Sequence, residues 1–436
     1  MKETSEAARL SSADVAFLEE MTRDVTELSR ARPGEEFEGS RVNMTGGTLV
    51  RAGGRLCYPG SGLWIRDYAM SLEAGFIPPA EQKHALLLTA EVQREGDWVT
   101  PTGCEVPHGS IPDHITLGGE PYFFPGSIDD KTIEGHHGTF GRRPPLGDHF
   151  FFVHMAWYYV QTVQDAAILQ VEANGRTLME RLDLAFSVPP SRGDTHLAYT
   201  EEQTRAVGFG FCDSIVHTGD LLFCSALKFR AAREMADMHR LLDNDEKAAQ
   251  YEAVAAAIRR SIPGVFGWQG DLLRASTGKS RQGDVWGSAF AVYVGALEER
   301  PAARVCGGLG RAYEDGTLSY RGNIRHVLTC HDFSAVAAWE ASSEAAGARD
   351  KNRYQNGAYW GTATGWVCYA MAQADRTAAA RLAREYIQEL REGDFRKGED
   401  FGSPWECMHP DGDYRQNPAL MTGVAGPLAA FRRLGW

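Results

Sequence analysis

The run Gln203-Thr-Arg-Ala-Val-Gly-Phe-Gly-Phe-Cys-Asp-Ser-Ile-Val-His-Thr-Gly-Asp-Leu-Leu-Phe-Cys224 is a loop that feeds a helix. Gly208 and Gly210 free the backbone between aromatic residues, because glycine reaches angles that a Cβ forbids. Asp213 follows in apolar surroundings, and an amphipathic run starts near Thr218 and continues to about Arg240. Burial disfavours the charged form of a carboxylate, so an acid in such a loop has a perturbable pKa. A general acid needs that property. The plainer reading is that Asp213 or Thr218 caps the following helix.

The same unit of aromatic loop and helix recurs along the chain. Residues 11–32 open on Ser-Ser-Ala-Asp and repeat apolar positions at helical spacing until Pro33-Gly34. Helices are expected from Arg66 to about Phe76, from Pro79 to about Arg94, over 150–163 and 173–187, and near 218–240 and 243–261. Further helices are expected over 286–298, 300–313, 331–347, 362–374, 376–392 and 417–433. Short links alternate with long loops, and 95–147 is the longest of these. A loop of that length in a compact chain is functional or disordered. Its Tyr122, Phe123, Phe124 and Phe140 argue against disorder. Strand signals are few and short. The pattern predicts an all-α ring of helical hairpins, an (α/α)6 toroid with its long loops at one end. It spans 1–436 as one domain, with 1–45 as an N-terminal helix and lead-in.

Composition narrows the classes. Hydrophobic residues make up 43% and charged residues 24% of the 436 positions, which is ordinary for a globular chain. The net charge is −13 and basic residues form no cluster, which argues against nucleic acid. No apolar run reaches the length of a membrane span. The start, Met1-Lys2-Glu3-Thr4-Ser5-Glu6, is polar, so a cytoplasmic protein is expected. Eight cysteines lie singly, without a CxxC pair, so buried free thiols are expected rather than zinc or disulfides. No phosphate or dinucleotide fingerprint is present and no cofactor is expected. The histidines, His136-His137 included, are not taken as metal ligands.

Four segments together resemble the six-hairpin glycosidases, and among them glycoside hydrolase family 63 with its bacterial, trehalase-like and glucoamylase-like relatives. Trp64-Ile-Arg-Asp is similar to a W-x-R-D segment that touches the sugar. Gly109-Ser-Ile-Pro-Asp-His, followed by Asp148 and an aromatic helix, resembles a G-x-I-P-N…D-x-x-x-W/F run. Gly210-Phe-Cys-Asp-Ser lies where relatives carry the acid loop, with Cys212 in place of a Trp and Ser214-Ile-Val-His in place of S-P-R. Trp405-Glu-Cys-Met-His-Pro-Asp-Gly resembles the E-x-x-x-P-x-x-G loop of the general base. Tyr354-Gln-Asn-Gly-Ala-Tyr-Trp resembles Y-x-N-G-x-W loops shared by several barrel glycosidases.

The resemblance implies an inverting, exo-acting hydrolase of small α-glucosides or related glycosides. Asp213 would be the acid and Glu406 the base. Such chemistry needs two carboxyl groups, about 6.5–9.5 Å apart in inverting enzymes. Glu406 has a duller reading as a surface ion pair. Arg66 and Asp67 are expected as a clamp on sugar hydroxyls or as a helix-start pair. Trp64 is expected as a stacking face beside them, and Asp148 as a contact or an N-cap. Trp286, Tyr359, Trp360 and Trp405 lie in or beside glycine-rich loops, suited to sugar faces or to the core. Asn356 and His331-Asp332 are further candidate contacts. Trp157, Tyr158 and Tyr159 lie inside an apolar helix and read as core. Two alternatives stand beside the hydrolase. One is a sugar 2-epimerase-like isomerase working through histidines such as His331 and His409. The other is a non-catalytic carbohydrate-binding protein. The partner expected in each case is a small carbohydrate, with oligomeric state open.

Overall fold

The computed structural model describes residues 7–36, 42–54, 62–101, 103–124, 141–331 and 351–436. The expected pair His136-His137, Asp332, Cys57 and all but the first residue of the helix expected over 331–347 lie outside the described residues.

Among the described residues the chain forms twelve α-helices in alternating roles. Six are outer: α1 (Ser12–Leu28), α3 (Pro79–Glu91), α5 (Leu178–Ser187), α7 (Asp245–Phe266), α9 (Glu299–Glu314) and α11 (Arg376–Glu392). Six are inner: α2 (Ile65–Ser71), α4 (Gly147–Val163), α6 (Leu222–Leu241), α8 (Val285–Tyr293), α10 (Thr364–Ala372) and α12 (Thr422–Arg433). Each inner helix packs on the next, and α12 closes on α2, so the ring is complete.

Sequence explains which helix goes where. In α4 the run Phe150, Phe151, Phe152, Val153 is buried on every side of the helix, which suits only an interior position. Each such Phe stabilises the fold by about 1.5–3 kcal/mol through removal from water. In α9 only one stripe, Val305, Cys306, Leu309 and Ala312, is buried, so the rest faces outward. Starts are fixed by side chains that take the free N–H groups of the first turn. Ser11 with Asp14 and Thr177 with Glu180 form reciprocal capping boxes for α1 and α5. Asp284 and Asp375 cap α8 and α11. Pro79 occupies the first position of α3, where its missing N–H costs nothing.

Two small sheets tie the loops together at the N-terminal end of the inner ring. The first pairs β1 (Leu63–Trp64), β2 (His114–Ile115) and β3 (Pro121–Tyr122), with Trp64 opposite His114 and His114 opposite Tyr122. The second runs β4 (Ser319–Tyr320), β5 (Asn323–Arg325), β6 (Tyr359–Trp360), β7 (Cys407–His409) and β8 (Tyr414–Gln416), all antiparallel neighbours. Among the described residues no helix is long and apolar enough to cross a membrane.

Candidate active site

The expected site residues come from the segments that precede or open inner helices. Arg66 and Asp67 open α2, and Asp148 lies in the first turn of α4. Asp213 precedes α6, Trp286 opens α8, and Tyr359 and Trp360 precede α10. Glu406 immediately precedes β7, in the loop leading to α12.

Arg66 is the hub. Its Nη1 donates to Asp113 Oδ1 at 2.7 Å, its Nε lies 3.5 Å from Asp67, and Asp148 is 3.9 Å away. The guanidinium also lies over the rings of Trp64 at 5.1 Å and Phe211 at 5.4 Å. Burial opposes its charge, yet Asp113, Asp67 and Asp148 hold its pKa above the ordinary arginine value. The three acids divide. Burial lifts Asp67 to about 6 despite Arg66. Burial also pushes Asp148 well above the carboxylate range, with the other two acids adding to the effect. Asp113 resists burial because Arg66 and His114 hold its carboxyl below the usual range. His114 Nδ1 is 2.9 Å from Asp113 Oδ2. The ring of His114 is stacked on Trp64 at 4.4 Å, as the β1–β2 register requires. Thus the main partner of Arg66 is Asp113, with Asp67 beside it. Asp148 is one of two acids flanking the guanidinium rather than a cap, since Leu146 holds the cap position of α4.

Asp213 lies at the end of a short 3-10 turn, Gly210–Cys212. Its Oδ1 accepts from Gln355 Nε2 at 2.8 Å, while Gln355 Oε1 accepts from the Ser214 N–H at 2.8 Å and hydroxyl at 2.7 Å. Burial lifts the Asp213 carboxyl to about 6, against the opposing pull of Arg66 and Gln355. The loop rests on an aromatic floor. His326 is hydrogen-bonded to the Phe211 carbonyl at 3.0 Å and stacked on Trp286 at 3.9 Å. Phe211 meets Trp360 edge-on at 5.7 Å. Trp286 and Trp360 are 0% exposed. They support the loop from below and present no open face to a sugar.

Glu406 is 1% exposed. Its N–H is shared between the carbonyls of Gln416 at 3.0 Å and Asn417 at 2.9 Å, and Asn417 Nδ2 donates to its carboxylate. Tyr354 joins the two carboxyl regions, since its hydroxyl lies in the field of Glu406, Asp213 and Arg66. Tyr354 has φ of 42°, an uncommon backbone for a bulky residue. Trp360 Nε1 donates to its carbonyl at 3.3 Å.

The other candidates lie further out. Tyr359 stacks on His409 at 5.4 Å, with Arg325 over its ring at 5.9 Å. Asn356 is buried in the tight turn after Gln355, its N–H donating to the Arg353 carbonyl at 2.9 Å. His331 stands apart near Arg274, where burial lowers its pKa. Trp405 lines a separate cavity of about 320 Å³ with Leu28, Phe395 and Pro418. Sequence reasoning did not assign roles to Asp113, Tyr354, Gln355 or Asn417, although the first three lie inside segments it quoted. Among the described residues no cluster of His, Cys, Asp or Glu is placed to hold a metal ion.

This is an (α/α)6 toroid with its buried acids and aromatic loops gathered at one end. The solved structures similar to it include glycosidases. A rhamnosidase from Klebsiella oxytoca with rhamnose bound is 12% identical at a TM-score of 0.54, over 99% of this chain and 66% of that one. A second glycosidase is 14% identical at a TM-score of 0.54, over 98% and 99%. A glycoside hydrolase family 15 glucoamylase from Hypocrea jecorina is 13% identical at 0.55, over 86% and 64%. This chain therefore spans about two thirds of the rhamnosidase and glucoamylase chains. At such identities the likeness shows the fold, and it does not single out family 63. A scan against protein-family models finds no match, and no curated protein matches the sequence.

Proposed function

We propose that this protein is a glycoside hydrolase in which Asp213 is the general acid and Glu406 the general base. The observation that carries the reading is the state of Asp213. A partly buried carboxyl lifted to about 6 and held by Gln355 keeps a proton available near neutral pH, as protonation of a leaving oxygen demands. Glu406, fixed through its backbone and by Asn417, is suited to orient and deprotonate a water. Water then attacks the anomeric carbon as the glycosidic bond breaks, and the sugar leaves with inverted configuration. Arg66, with Asp113, Asp67 and Asp148, supplies charge-assisted hydrogen bonds to hydroxyls in the pocket. Trp64 is the aromatic residue beside that cluster, and Tyr359 and Asn356 stand further out.

The substrate in this reading is a small α-glucoside or related glycoside, cut from its end. The rhamnose-bound neighbour and the glucoamylase share the fold and put both rhamnosides and glucosides on the panel. Proton NMR of reaction mixtures with that panel tests the proposal. Release of a sugar of inverted anomeric configuration, lost in Glu406→Gln and in Asp213→Asn, is the expected result. Interconversion of free sugars, or saturable binding without turnover, would overturn it. The isomerase alternative draws no support from the histidines, because His331 lies near Arg274 whereas His409 lies against Tyr359.

A further inference from the structure

The inner helices all point their N-termini at the Asp213 end, so their C-terminal ends meet at the opposite end of the ring. A second cavity of about 210 Å³ lies there. Its walls include His154 and Trp157 of α4, Arg230 and Glu234 of α6, Tyr293 at the end of α8, and Glu73 just after α2.

This is a constructed polar site. His154, 1% exposed, has Nδ1 at 2.6 Å from Glu234 Oε1 and Nε2 at 3.5 Å from Glu73. Tyr293 donates to Glu73 Oε2 at 2.8 Å. The guanidinium of Arg230 is held over the rings of Phe151 at 5.6 Å and Phe290 at 5.5 Å. That grip leaves its Nε 3.8 Å from Glu234, beyond hydrogen-bond length. Arg230 Nε and Nη2 and Glu234 Oε2 are all buried and have no hydrogen-bond partner. Donors and an acceptor left open at one cavity point to a guest that satisfies both.

The lining selects the chemistry. Glu73, Glu234 and Asp237 stand against Arg230, Arg233 and Arg433, so neither a free anion nor a free cation meets a matching net charge. A hydroxyl both donates and accepts. Two adjacent hydroxyls can therefore take hydrogen bonds from Arg230 and give one to Glu234. Trp157, half-buried at the wall with Nε1 on Asp237 at 3.3 Å, adds an apolar face. The volume exceeds several waters, at about 30 Å³ each. We propose that this cavity binds one neutral polyhydroxylated ring, a monosaccharide or cyclitol, at a second site remote from the hydrolytic one. The site stands whether or not Asp213 and Glu406 hydrolyse a glycoside.

Fluorine NMR of the full chain carrying 5-fluorotryptophan tests this, with the Trp157 resonance assigned through Trp157→Phe. The probes are D-glucose, L-rhamnose, D-mannose and myo-inositol. The expected result is a saturable shift of the Trp157 signal by at least one of them. It should persist in Glu406→Gln and weaken by about tenfold or more in Glu234→Gln. Should Glu234→Gln fail to fold, Arg230→Gln serves as the second variant. A Trp157 signal unmoved by all four probes overturns the proposal, as does a shift that survives unchanged in the folded lining variant.

Discussion

The Cα of Gly210 lies flat against the guanidinium of Arg66. A Cβ at that position would stand 2.4 Å from Arg66 Cζ. The guanidinium has little freedom to retreat, because Asp113 pins it at 2.7 Å. The loop carrying Asp213 is thus seated directly on the charge cluster of α2. Gly210→Ala is expected to fold, with a loss on the order of 1–3 kcal/mol from overpacking, and to lower kcat/KM by about 10²-fold through displacement of Asp213. Urea unfolding together with kinetics checks this. Unchanged kcat/KM would show that the loop tolerates displacement.

The pH profile follows from the same carboxyl. A general acid works protonated, so kcat/KM should fall as pH rises through about 6, where Asp213 loses its proton. Gln355 donates to the charged form and so draws that value down. Gln355→Leu should therefore move the alkaline limb to higher pH while reducing the maximum. A limb that stays in place, or moves lower, removes Asp213 from the acid role.

Arg66 compensates three buried acids at once. Its replacement by methionine keeps the volume but takes the guanidinium from Asp113, leaving that buried carboxylate with His114 alone at neutral pH. The expected loss is about 3–5 kcal/mol. It should shrink at pH 4, because carboxyls without Arg66 take up protons at higher pH and shed their charge. Denaturant midpoints at pH 7 and pH 4 decide it. Equal losses at both would mean that Arg66 acts through packing.

Asp284 caps α8, and burial lifts its carboxyl to about 7. A group whose folded pKa is raised binds protons more tightly when folded. It therefore costs stability as pH climbs from the ordinary carboxylate range through about 7. Asparagine keeps the acceptor for the Gly287 N–H and carries no charge. Asp284→Asn should raise the unfolding free energy at pH 8 by on the order of 1–3 kcal/mol, seen as a higher melting temperature, and change little at pH 4. The reverse order would place the charged form as the stabilised one.

Local signals carried much of this architecture. Helix α11 covers the expected 376–392, because Asp375 as cap and Gly393 as closing glycine bracket a regular apolar stripe. The ring itself was readable as alternating links and loops. What escaped were relations between distant positions. Asp113 meets Arg66 only because Trp64 pairs with His114 across β1 and β2, and no local pattern encodes that register. Gln355 reaches Asp213 in the same long-range way. Tryptophan direction was equally hidden. A Trp beside a glycine reads alike whether it faces a sugar, floors a loop as Trp286 does, or lines a separate cavity as Trp405 does. Asp148 read equally as a sugar contact or as a cap, because caps are the common fate of an Asp at a helix start. Its actual place, two residues past the cap position and 3.9 Å from Arg66, depends on how α2 and α4 lie together.

The joint between α12 and α2 has a bearing on how the molecule comes into being. Every other inner helix finds its next neighbour soon after it is made, but α2 must wait for the last of them. A nascent chain therefore carries the flank of α2 that meets α12 unsheltered until α12 has left the ribosome. That seam is where a half-made chain is most exposed to wrong partners.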